Sequence, residues 1–491
     1  MSERDLKQSA SSPAVVLDKQ ADVPLYQQIY EFFKEGIVQG AYRPGDKLPS
    51  IRALASRLGV ARNTIDSAYK QLTVEGYVKS RRGSGYLVQE TSRGMLAELP
   101  QPEEPTLPKE AGEPALPDCR YDFCYGDLLE GIFPMETWKR LSNEVLAKDH
   151  MDLFAHYHDW QGSYALRTQI ARHLKRMRDI DASPEQIVVT SGTQRTIELI
   201  LGLFDPAHDT VACDDPGYPG AHSTIRSCRF GVDRLRTDQG DAAFISDIEK
   251  SEARLFYTTP SHQFPMGWCM NQDVRSQLLK VAVEKDAYIL EDDYDSGYRY
   301  TAQPVPSLAS LDKWGRVIYL GTFSKVLSPA LRISYAVLPG ALMARLDDRC
   351  RSMRSTVPEL EQEVLARFME QGYWERHLRR TILGYRKRYQ LLMQTLEETF
   401  DGDVRVHDGE AGLFVLLEVR NGMEQDELVK AAADKGVRIY GTKRYWLDPD
   451  DAPDNLVLLG FSAASADTII CGIPLLKHAW FPEKDKQGTN S

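Results

Sequence analysis

The segment Gly-Thr-Phe-Ser-Lys at residues 321–325, followed by Leu-Ser-Pro-Ala-Leu and Arg332, decides how the rest of the chain is interpreted. An amine that condenses with an aldehyde must be partly neutral, and a lysine of lowered pKa meets that need. Thr322, Ser324 and Arg332 bring two hydroxyls and a guanidinium close to Lys325, a set that suits a phosphate dianion. The segment predicts a phosphate-bearing aldehyde cofactor held as a Schiff base. The alternative is a helix start with a solvated lysine.

Length and composition bound the class of protein. The chain has 491 residues, which is too long for one ordinary domain, and 42% of them are hydrophobic. No apolar run of about 18 residues is present, and the polar segment Met1–Asp22 lacks the apolar core of a signal peptide. The seven cysteines are scattered without a CxxC pair or a Cys/His cluster. These features predict a cytoplasmic protein without a metal site.

The charge is distributed unevenly along the chain. Residues 41–88 hold nine Lys and Arg against three Asp and Glu, so this segment carries +6. The whole chain carries −11, so the remainder carries −17. A small basic module joined to a large acidic one indicates that a nucleic acid binds the first part and another partner binds the second.

The basic module has the pattern of a helix-turn-helix. Pro24 precedes apolar residues at helical spacing up to Ile37. Ser50 is a helix N-cap, Gly59 ends that second helix, and a third helix begins soon after. Residues 78–88 then predict a hairpin whose Gly-rich tip follows two arginines. Three helices and a basic hairpin predict a winged helix-turn-helix over residues 23–88.

The third helix would meet base edges through its first turn, because arginine and asparagine make bidentate contacts there. Its outward face carries Arg62, Asn63, Thr64 and Lys70. The motifs Pro-Gly-Asp-Lys-Leu-Pro-Ser-Ile-Arg and Arg-Arg-Gly-Ser-Gly-Tyr resemble the GntR-type winged-helix family. The resemblance and the charge together predict DNA contacts at Arg52, Arg62, Asn63, Thr64, Lys70, Arg81, Arg82, Gly83 and Gly85.

The remaining chain is organised as a linker and a large domain. Residues 89–119 lose apolar periodicity and are rich in proline, which predicts a linker. From residue 120 to 482, short apolar runs alternate with amphipathic helices, which predicts an α/β domain with a mostly parallel sheet. Residues 1–22 and 483–491 are polar and predicted to be disordered tails. The predicted strands are Ile187–Thr190, Thr210–Ala212, Leu255–Tyr257, Ala287–Leu290 and Val317–Leu320.

Polar residues follow these strands where a parallel sheet binds its ligands. The first strand leads into Gly192, Thr193 and Gln194 at a helix start, where free N–H groups suit a phosphate. Tyr218 follows the second strand, and Asp292 and Tyr294 follow the fourth. His262 follows the third strand. The sequence allows two roles for it, lining the pocket or supporting the structure.

The motifs Asp-Pro-Gly-Tyr, Glu-Asp-Asp-Tyr-Asp-Ser and Thr-Phe-Ser-Lys-x-Leu-Ser-Pro-x-Leu-Arg resemble fold-type I, pyridoxal-phosphate-dependent aminotransferases. Together with the winged helix, the chain resembles the MocR/GabR family of bacterial transcription regulators over residues 23–480. The resemblance implies a small C-terminal α+β subdomain beside the large sheet. The resemblance implies that Lys325 forms the internal aldimine with pyridoxal 5′-phosphate and that Asp292 pairs with the pyridinium nitrogen. It implies that Tyr294 bonds the ring hydroxyl and that Tyr218 stacks on the ring. It assigns the phosphate to Gly192, Thr193, Gln194, Thr322, Ser324 and Arg332.

The resemblance also concerns a second subunit and an effector. Tyr157 has the offset at which a tyrosine reaches the phosphate of the neighbouring subunit, which implies a head-to-tail homodimer suited to two operator half-sites. An effector carboxylate normally needs an arginine. Arg444 is the candidate, Lys443 is the adjacent rival, and a solvated arginine is the alternative.

Three functions follow from these expectations. The first is a transcription regulator that binds operator DNA and senses an amino acid, an amine or the cofactor itself through Lys325. The second is an active aminotransferase with a fused DNA-binding domain. The third is a degenerate enzyme domain used as a dimerisation scaffold. The winged helix favours the first, because a metabolic transaminase has no need of one.

Overall fold

The computed structural model describes residues 15–81, 83–90, 119–295, 297–300, 305–407 and 411–482, and within these it leaves the side chains of residues 148–152 undefined. The chain divides into two compact units, residues 1–112 and 113–491. No helix among the described residues is long and apolar enough to cross a membrane. The predicted linker falls largely, and the C-terminal tail wholly, outside the described residues.

The described part of the first unit contains three helices and a hairpin. Ser50 caps the second helix by accepting a hydrogen bond from the Ala53 amide at 3.2 Å, and Gly59 ends it in the left-handed conformation at φ 62°. Ile29, Phe33 and Tyr69 are fully buried between the helices. The elements are α1 (Leu25–Val38), α2 (Ile51–Leu58), α3 (Arg62–Val74), β1 (Val78–Arg81) and β2 (Gly85–Val88).

The described part of the predicted N-terminal tail, residues 15–22, is held against the winged helix. Val15 and Leu17 pack on its core. The Gln28 side chain accepts a hydrogen bond from the Asp18 amide at 2.9 Å and donates one to the Asp18 carbonyl at 2.8 Å. Apolar side chains and a backbone-binding glutamine therefore order a segment that its polar composition assigned to disorder. Residues 1–14 lie outside the described part.

The second unit is built on a seven-stranded sheet in the order β4-β10-β9-β8-β7-β5-β6. All neighbouring pairs are parallel except those of β10, which is antiparallel to both β4 and β9. A mostly parallel sheet is therefore confirmed. The strands are β4 (Ile187–Thr190), β5 (Thr210–Asp215), β6 (Gly231–Arg236), β7 (Leu255–Thr258), β8 (Tyr288–Asp292), β9 (Val317–Thr322) and β10 (Ser334–Val337).

Helices flank this sheet because parallel strands must be joined by crossovers and buried on both faces. Val188, Ile318 and Leu320 pack on one side of the sheet and Phe256 and Ile289 on the other. The helices that precede or follow the strands are α4 (Met135–Ala155), α5 (Tyr164–Arg178), α6 (Thr193–Leu201), α7 (Pro219–Ser227), α8 (Asp241–Lys250), α9 (Gln272–Glu284), α10 (Leu308–Leu311) and α11 (Gly340–Cys350).

The C-terminal part forms a smaller α+β subdomain within the second unit. A four-stranded sheet has the order β11-β12-β15-β14, and a short parallel pair joins β13 to β3, the first strand of this unit. Its elements are β3 (Tyr121–Asp122), α12 (Glu359–Glu370), α13 (Tyr373–Phe400), β11 (Val404–His407), β12 (Phe414–Val419), α14 (Gln425–Asp434), β13 (Val437–Arg438), β14 (Tyr440–Gly441), β15 (Leu456–Gly460) and α15 (Ala466–Trp480).

Two of the seven strands of the large sheet escape sequence prediction. The edge strand β6 contains Asp233, Arg234 and Arg236 and therefore has no apolar run. The strand β10 has only four residues and begins with Ser334. The strand β6 is positioned by its neighbour β5 rather than by an apolar pattern of its own, which is why periodicity alone does not find it.

Candidate cofactor site and DNA-binding surface

A cavity of about 380 Å³ opens at the carboxyl ends of β5, β7, β8 and β9. This is the edge at which open α/β sheets bind their ligands. Ten residues of this chain, Lys325 included, are predicted to contact the cofactor. Nine of them line the cavity, and Gly192 does not. The lining consists of Tyr125, Gly126, Thr193, Gln194, Tyr218, Pro219, Thr259, Phe264, Asp292, Tyr294, Thr322, Ser324, Lys325, Pro329, Arg332, Arg444 and Tyr445.

Asp292 provides a buried acceptor at the floor of the cavity. Its Oδ2 atom accepts a hydrogen bond from the Tyr257 hydroxyl at 2.7 Å. Its Oδ1 atom is buried and has no hydrogen-bond partner among the described residues. Burial raises the pKa of Asp292 to about 7, against the lowering effect of the Tyr257 hydrogen bond. An unpaired carboxylate oxygen in such a place requires a donor, and a protonated ring nitrogen is one.

Lys325 lies at the other side of the cavity. Its Nζ atom is 4.2 Å from the centroid of the Tyr125 ring. Burial lowers the pKa of this amine, and the nearby carboxylates of Asp295, Asp127 and Asp292 oppose the shift. The Tyr298 hydroxyl donates to the Lys325 carbonyl at 2.9 Å, which fixes the backbone under the amine. The residue thus has the lowered pKa that a nucleophilic lysine needs.

The start of α6 and Arg332 form a cradle for an anion. Gly192 adopts φ 111°, and a Cβ atom placed there would lie 2.2 Å from Nη2 of Arg332. The guanidinium of Arg332 forms no ion pair with a carboxylate of the described chain, and no side chain caps α6 at Gly192. Unpaired amides at a helix N-terminus next to an unpaired guanidinium suit a phosphate.

The two hydroxyls predicted for the phosphate are both on the cavity wall, but their surroundings differ. Thr322 Oγ1 accepts hydrogen bonds from the Ser324 amide at 3.2 Å and from the Ser334 hydroxyl at 2.9 Å. Thr322 is therefore already engaged in shaping the turn that carries Lys325. Ser324 and Gln194 line the cavity directly.

Two tyrosines predicted at the cofactor ring also line the cavity. Tyr218 is half-buried and meets Phe264 edge to face, with 6.4 Å between the ring centroids. The Tyr294 hydroxyl donates to the His262 carbonyl at 3.1 Å and lies 3.0 Å from His262 Nδ1. His262 itself does not line the cavity, and its side chain is buried. The structural role of His262 is thus the one found here.

Sequence reasoning missed an aromatic wall of the cavity. Tyr125 stacks on Phe264 with 5.4 Å between centroids, and Tyr445 meets Phe264 edge to face at 4.9 Å. These residues come from three distant segments of the chain, so no local motif marks them. The Asp-Pro-Gly-Tyr and Thr-Pro-Ser-His-Gln-Phe motifs gave a partial signal for Tyr218 and Phe264 only.

The structure separates the two rival cations near the C-terminal subdomain. Arg444 lines the cavity, and its Nη2 atom donates to the Tyr445 hydroxyl at 3.2 Å. Lys443 does not line the cavity and instead forms an ion pair of 2.8 Å with Asp454. Because adjacent residues in the short 3-10 helix Lys443–Tyr445 point in different directions, only one of them can face a ligand.

Tyr157 lies away from the cavity of its own chain. Its side chain is 87% exposed, and the guanidinium carbon of Arg354 lies 5.5 Å from its ring centroid. No contact in this single chain tests the predicted role in a neighbouring subunit.

The described residues that are predicted to contact DNA lie on α2, on α3 and on the β1–β2 hairpin. Arg52, Arg62 and Asn63 are exposed, and neither arginine forms an ion pair with another described residue. Lys70 is exposed but forms an ion pair of 2.9 Å with Asp66, one turn earlier on α3. Thr64 is half-buried, Arg81, Gly83 and Gly85 are exposed on the hairpin, and Arg82 lies outside the described residues.

The donor set of the cavity fits pyridoxal 5′-phosphate. Asp292 offers an orphaned oxygen for a ring nitrogen, Lys325 offers an amine of lowered pKa, and the Gly192–Arg332 cradle offers a place for the phosphate. The fold and the site together define a winged-helix DNA-binding domain joined to an aminotransferase-type domain.

Comparison with known proteins agrees with this class. Residues 121–446 match the family Aminotransferase class I and II, and residues 25–88 match Bacterial regulatory proteins, gntR family. The chain belongs to the MocR-type family, in which these two domains are fused. Its cofactor is pyridoxal 5′-phosphate, which the aminotransferase fold and the donor set of the cavity both indicate.

Relatives resemble nearly the whole chain. The uncharacterized HTH-type transcriptional regulator YdeL of Bacillus subtilis (strain 168) is 36% identical, over 94% of this chain and 98% of the relative. The probable rhizopine catabolism regulatory protein MocR of Rhizobium meliloti is 32% identical, over 95% of this chain and 96% of the relative. The crystal structure of the multiple substrate aminotransferase of Thermococcus profundus has a TM-score of 0.66 and 27% identity, covering 74% of this chain and 91% of that one.

Proposed function

We propose that this protein is a transcription regulator that binds operator DNA through its winged helix and responds to an amine that enters the pyridoxal phosphate site. The observation that carries the proposal is the coexistence, in one chain, of exposed Arg62 and Asn63 at the start of α3 and a buried site in which Asp292 Oδ1 has no hydrogen-bond partner among the described residues. The relatives MocR, TauR and PdxR carry regulator names, which supports the same function. Because DNA is its target, we place the protein in the cytoplasm.

Each side chain of the site has a defined task in this proposal. When bound, the cofactor supplies an aldehyde that can exchange one amine for another. Lys325 would hold the cofactor through its amine, because burial lowers the pKa of that amine. Asp292 would accept a hydrogen bond from the protonated ring nitrogen, and Arg332 with the start of α6 would anchor the phosphate.

We further propose that the effector carries a carboxylate and that Arg444 binds it. Arg332 and Arg444 are the arginines on the described cavity wall, and Arg332 is already assigned to the phosphate cradle. The aromatic wall of Tyr125, Phe264 and Tyr445 favours an effector with an apolar body between its amine and its carboxylate. Displacement of Lys325 by such an effector would change the contacts between the large sheet and the C-terminal subdomain, and so bias the conformation of the protein.

A homodimer with shared sites is the quaternary structure that we propose. The exposure of Tyr157 fits a residue that acts outside its own chain. Two winged helices in a symmetric dimer would also match two operator half-sites.

The proposal is tested on purified protein with candidate amino acids and amines. We expect a visible absorption band, a shift of that band with one effector, and a change in operator affinity at the same effector concentration. In Arg444→Ala the effector concentration needed for both changes should rise about 10- to 100-fold, because a charge-assisted contact is lost. Lys443→Ala is the matched control and should behave as the wild type.

An effector that shifts the absorption band without any change in operator affinity would contradict the proposed regulator function. Sustained conversion of an amino donor and a keto acid over many turnovers would instead support the second candidate, an active aminotransferase with a DNA-binding domain. The observation that favours this second candidate is that Lys325 and Asp292, the residues that an aminotransferase needs, are both present in the cavity.

A further inference from the structure

Residues 442–447, which we call the bridging segment, carry Arg444 and directly follow β14 of the C-terminal subdomain. The segment contains the short 3-10 helix Lys443–Tyr445 and ends at Leu447. Both Arg444 and Tyr445 line the cavity. The position of this segment therefore decides where the guanidinium of Arg444 is presented to an effector.

The first end of the bridging segment is bound to the C-terminal subdomain. Gln425, the first residue of α14, is buried, and its Oε1 atom accepts hydrogen bonds from the amides of Thr442 and Lys443. The Thr442 hydroxyl donates to the carbonyl of Leu456, the first residue of β15, at 3.3 Å. These contacts fix the first end within the subdomain, and none of them reaches the large sheet.

The second end of the bridging segment is bound to the large sheet, at the end of β5. Asp215 is the last residue of β5, its side chain is fully buried, and its Oδ1 atom accepts a hydrogen bond from the Leu447 amide at 2.8 Å. The Gly217 amide donates to the Tyr445 carbonyl at 2.8 Å. Two hydrogen bonds therefore hold the residues that follow Arg444 against the large sheet.

The Asp215 carboxylate is itself held by an arginine. Its Oδ2 atom accepts a hydrogen bond from Nε of Arg234 on β6. The Nη1 atom of the same guanidinium lies 2.6 Å from Oδ2 of Asp451, which follows the bridging segment. Because both oxygens of Asp215 have a fixed donor, the carboxylate is held in one orientation, and the Leu447 amide that it binds is held with it.

The turn after Asp215 also carries a predicted contact to the cofactor ring. A Cβ atom placed at Gly217 would lie 2.3 Å from the Asp214 carbonyl oxygen, so this turn has no room for a side chain at that position. The next residue, Tyr218, lines the cavity and is predicted to stack on the ring. One tight turn therefore joins the tyrosine of the cofactor site to the segment that carries Arg444.

We propose that Asp215 is a positioning residue for the effector: by binding the Leu447 amide, it holds Arg444 where the guanidinium meets the carboxylate of an effector at the cofactor. The inference rests on the proposed function, since it needs a cofactor in the cavity and a carboxylate on the effector. An arginine–carboxylate contact depends on geometry, so a displaced Arg444 would lose the carboxylate while the contacts to the cofactor persist.

The test uses full-length, cofactor-free protein and two kinds of probe that share a phosphopyridoxyl group. The first is the reduced conjugate of pyridoxal phosphate with a linear ω-amino acid of three to six carbons. The second is the conjugate with the alkylamine of the same number of carbons, which lacks the carboxylate. Because both bind through the ring and the phosphate, the ratio of their dissociation constants, measured by calorimetry, isolates the carboxylate contact. The chain length with the largest ratio in the wild type is used throughout.

The ratio should depend on Asp215 through Arg444. In the wild type the carboxylate should strengthen binding by about 10- to 100-fold. Asp215→Ala should reduce this ratio to about threefold or less, because the Leu447 amide loses its acceptor. Asp215→Asn keeps an acceptor oxygen and should retain a larger ratio than Asp215→Ala. Arg444→Ala should abolish the ratio, and adding Asp215→Ala to it should change the ratio no further.

Asp247→Ala is the matched control. Asp247 likewise accepts hydrogen bonds from a backbone amide and from an arginine Nε atom, but both belong to Arg236 on β6. This variant should keep the wild-type ratio. Arg226→Ala is a second variant at an exposed side chain, whose guanidinium donates to the Leu447 carbonyl at 2.9 Å. Its ratio should fall by about threefold, because one contact to the bridging segment is lost.

An unchanged ratio in Asp215→Ala, or an equal fall in Asp247→Ala, would overturn the proposal. An equal loss of affinity for both conjugates would also overturn it, since Asp215 would then support the fold rather than Arg444. If Asp215→Ala does not fold, an unchanged ratio in Arg226→Ala overturns the proposal.

The failure of the proposed function has a different signature. A wild-type ratio near one would refute the effector carboxylate, and binding of neither conjugate would refute the cofactor site; each result would overturn the role of Asp215 as well. A wild-type ratio of about 10 or more that is lost in Arg444→Ala but kept in Asp215→Ala would overturn the role of Asp215 alone.

Discussion

The two units of this protein present their functional residues in opposite ways. On the winged helix, Arg52, Arg62 and Asn63 lie exposed on the surface of a small core. In the second unit, Asp292 is 3% exposed and Tyr257 beside it is 1% exposed. The first set is placed where charge and shape can act on a partner. The second set has altered chemistry, because burial shifts the pKa of its members.

This difference predicts how each unit responds to change. Exposed contacts to DNA are screened by salt and contribute separately, so single substitutions should weaken binding by separate steps. Buried groups of the cofactor site share hydrogen bonds and charges, so single substitutions should alter the site as a whole. The following predictions test that contrast, from the largest expected effect to the smallest.

The largest effect is expected for Lys325→Ala, which removes the amine that holds the cofactor. The variant should show no visible absorption band after gel filtration, and borohydride treatment should leave no pyridoxyl mass on the protein. Operator affinity without effector should stay within about threefold, because the winged helix has its own core. Lys313→Ala, on an exposed lysine of the same unit, should keep the full band. Loss of DNA binding in Lys325→Ala would contradict the view that the winged helix acts separately from the cofactor site.

The second effect concerns pH. Burial raises the pKa of Asp292 to about 7 in the folded protein, above its unfolded value of about 3.9. The folded state therefore holds this proton more tightly, so stability is greatest at low pH and is lost as the pH rises from about 4 to about 7. In cofactor-free Asp292→Asn this part of the loss should vanish, on the order of 2–4 kcal/mol in the free energy of unfolding.

Urea unfolding at pH 5 and pH 8 measures this slope. Glu291, with a pKa raised to about 7, and Asp214, with one raised to about 6, contribute slopes in the same direction and remain in the variant. Asp348→Asn, at a carboxylate that is 83% exposed, is the control and should run parallel to the wild type. A parallel slope in Asp292→Asn would show that the carboxylate is not held protonated by burial.

The third effect is on DNA binding. Arg62→Ala and Asn63→Ala should each weaken operator binding by about 1–3 kcal/mol, because each loses contacts to bases or phosphates. Lys70→Ala should have a smaller effect, since Asp66 already neutralises much of that charge. Fluorescence anisotropy at several salt concentrations measures all three. The absorption band should be unchanged in each variant, and a larger loss from Lys70→Ala than from Arg62→Ala would refute the assignment.

The smallest effect is expected for Tyr257→Phe. The change removes the 2.7 Å hydrogen bond to Asp292 Oδ2 but keeps the ring. Cofactor affinity should fall by about 0.5–1.5 kcal/mol, the usual contribution of one such bond. Equilibrium titration of the absorption band gives the dissociation constant. Tyr385→Phe is the control, because the Tyr385 hydroxyl is buried but has no hydrogen-bond partner among the described residues.

Local sequence predicted much of the architecture. The apolar runs at Ile187–Thr190, Thr210–Ala212, Leu255–Tyr257 and Val317–Leu320 all lie within observed strands. Such runs are informative because a strand buried on both faces must be apolar throughout. The strand β6 escaped prediction because an edge strand with one solvated face can carry charges.

Some features of the site also follow from sequence alone. The chemical types needed for the cofactor, an amine, a carboxylate and a phosphate cradle, stand in motifs at strand ends, and parallel topology brings those ends to one edge. Lys325, Asp292 and Arg332 could be proposed on that basis. Helix periodicity and the basic hairpin allowed the DNA-facing residues to be proposed from sequence as well.

Only the tertiary structure decided the rest. It left Asp292 Oδ1 without a hydrogen-bond partner among the described residues, turned Arg444 rather than Lys443 toward the cavity, and paired His262 with Asp295. It also assembled the aromatic wall from segments more than 100 residues apart. These outcomes depend on distances between side chains that no local pattern encodes, because burial and hydrogen bonding are set by what the folded chain places next to each group.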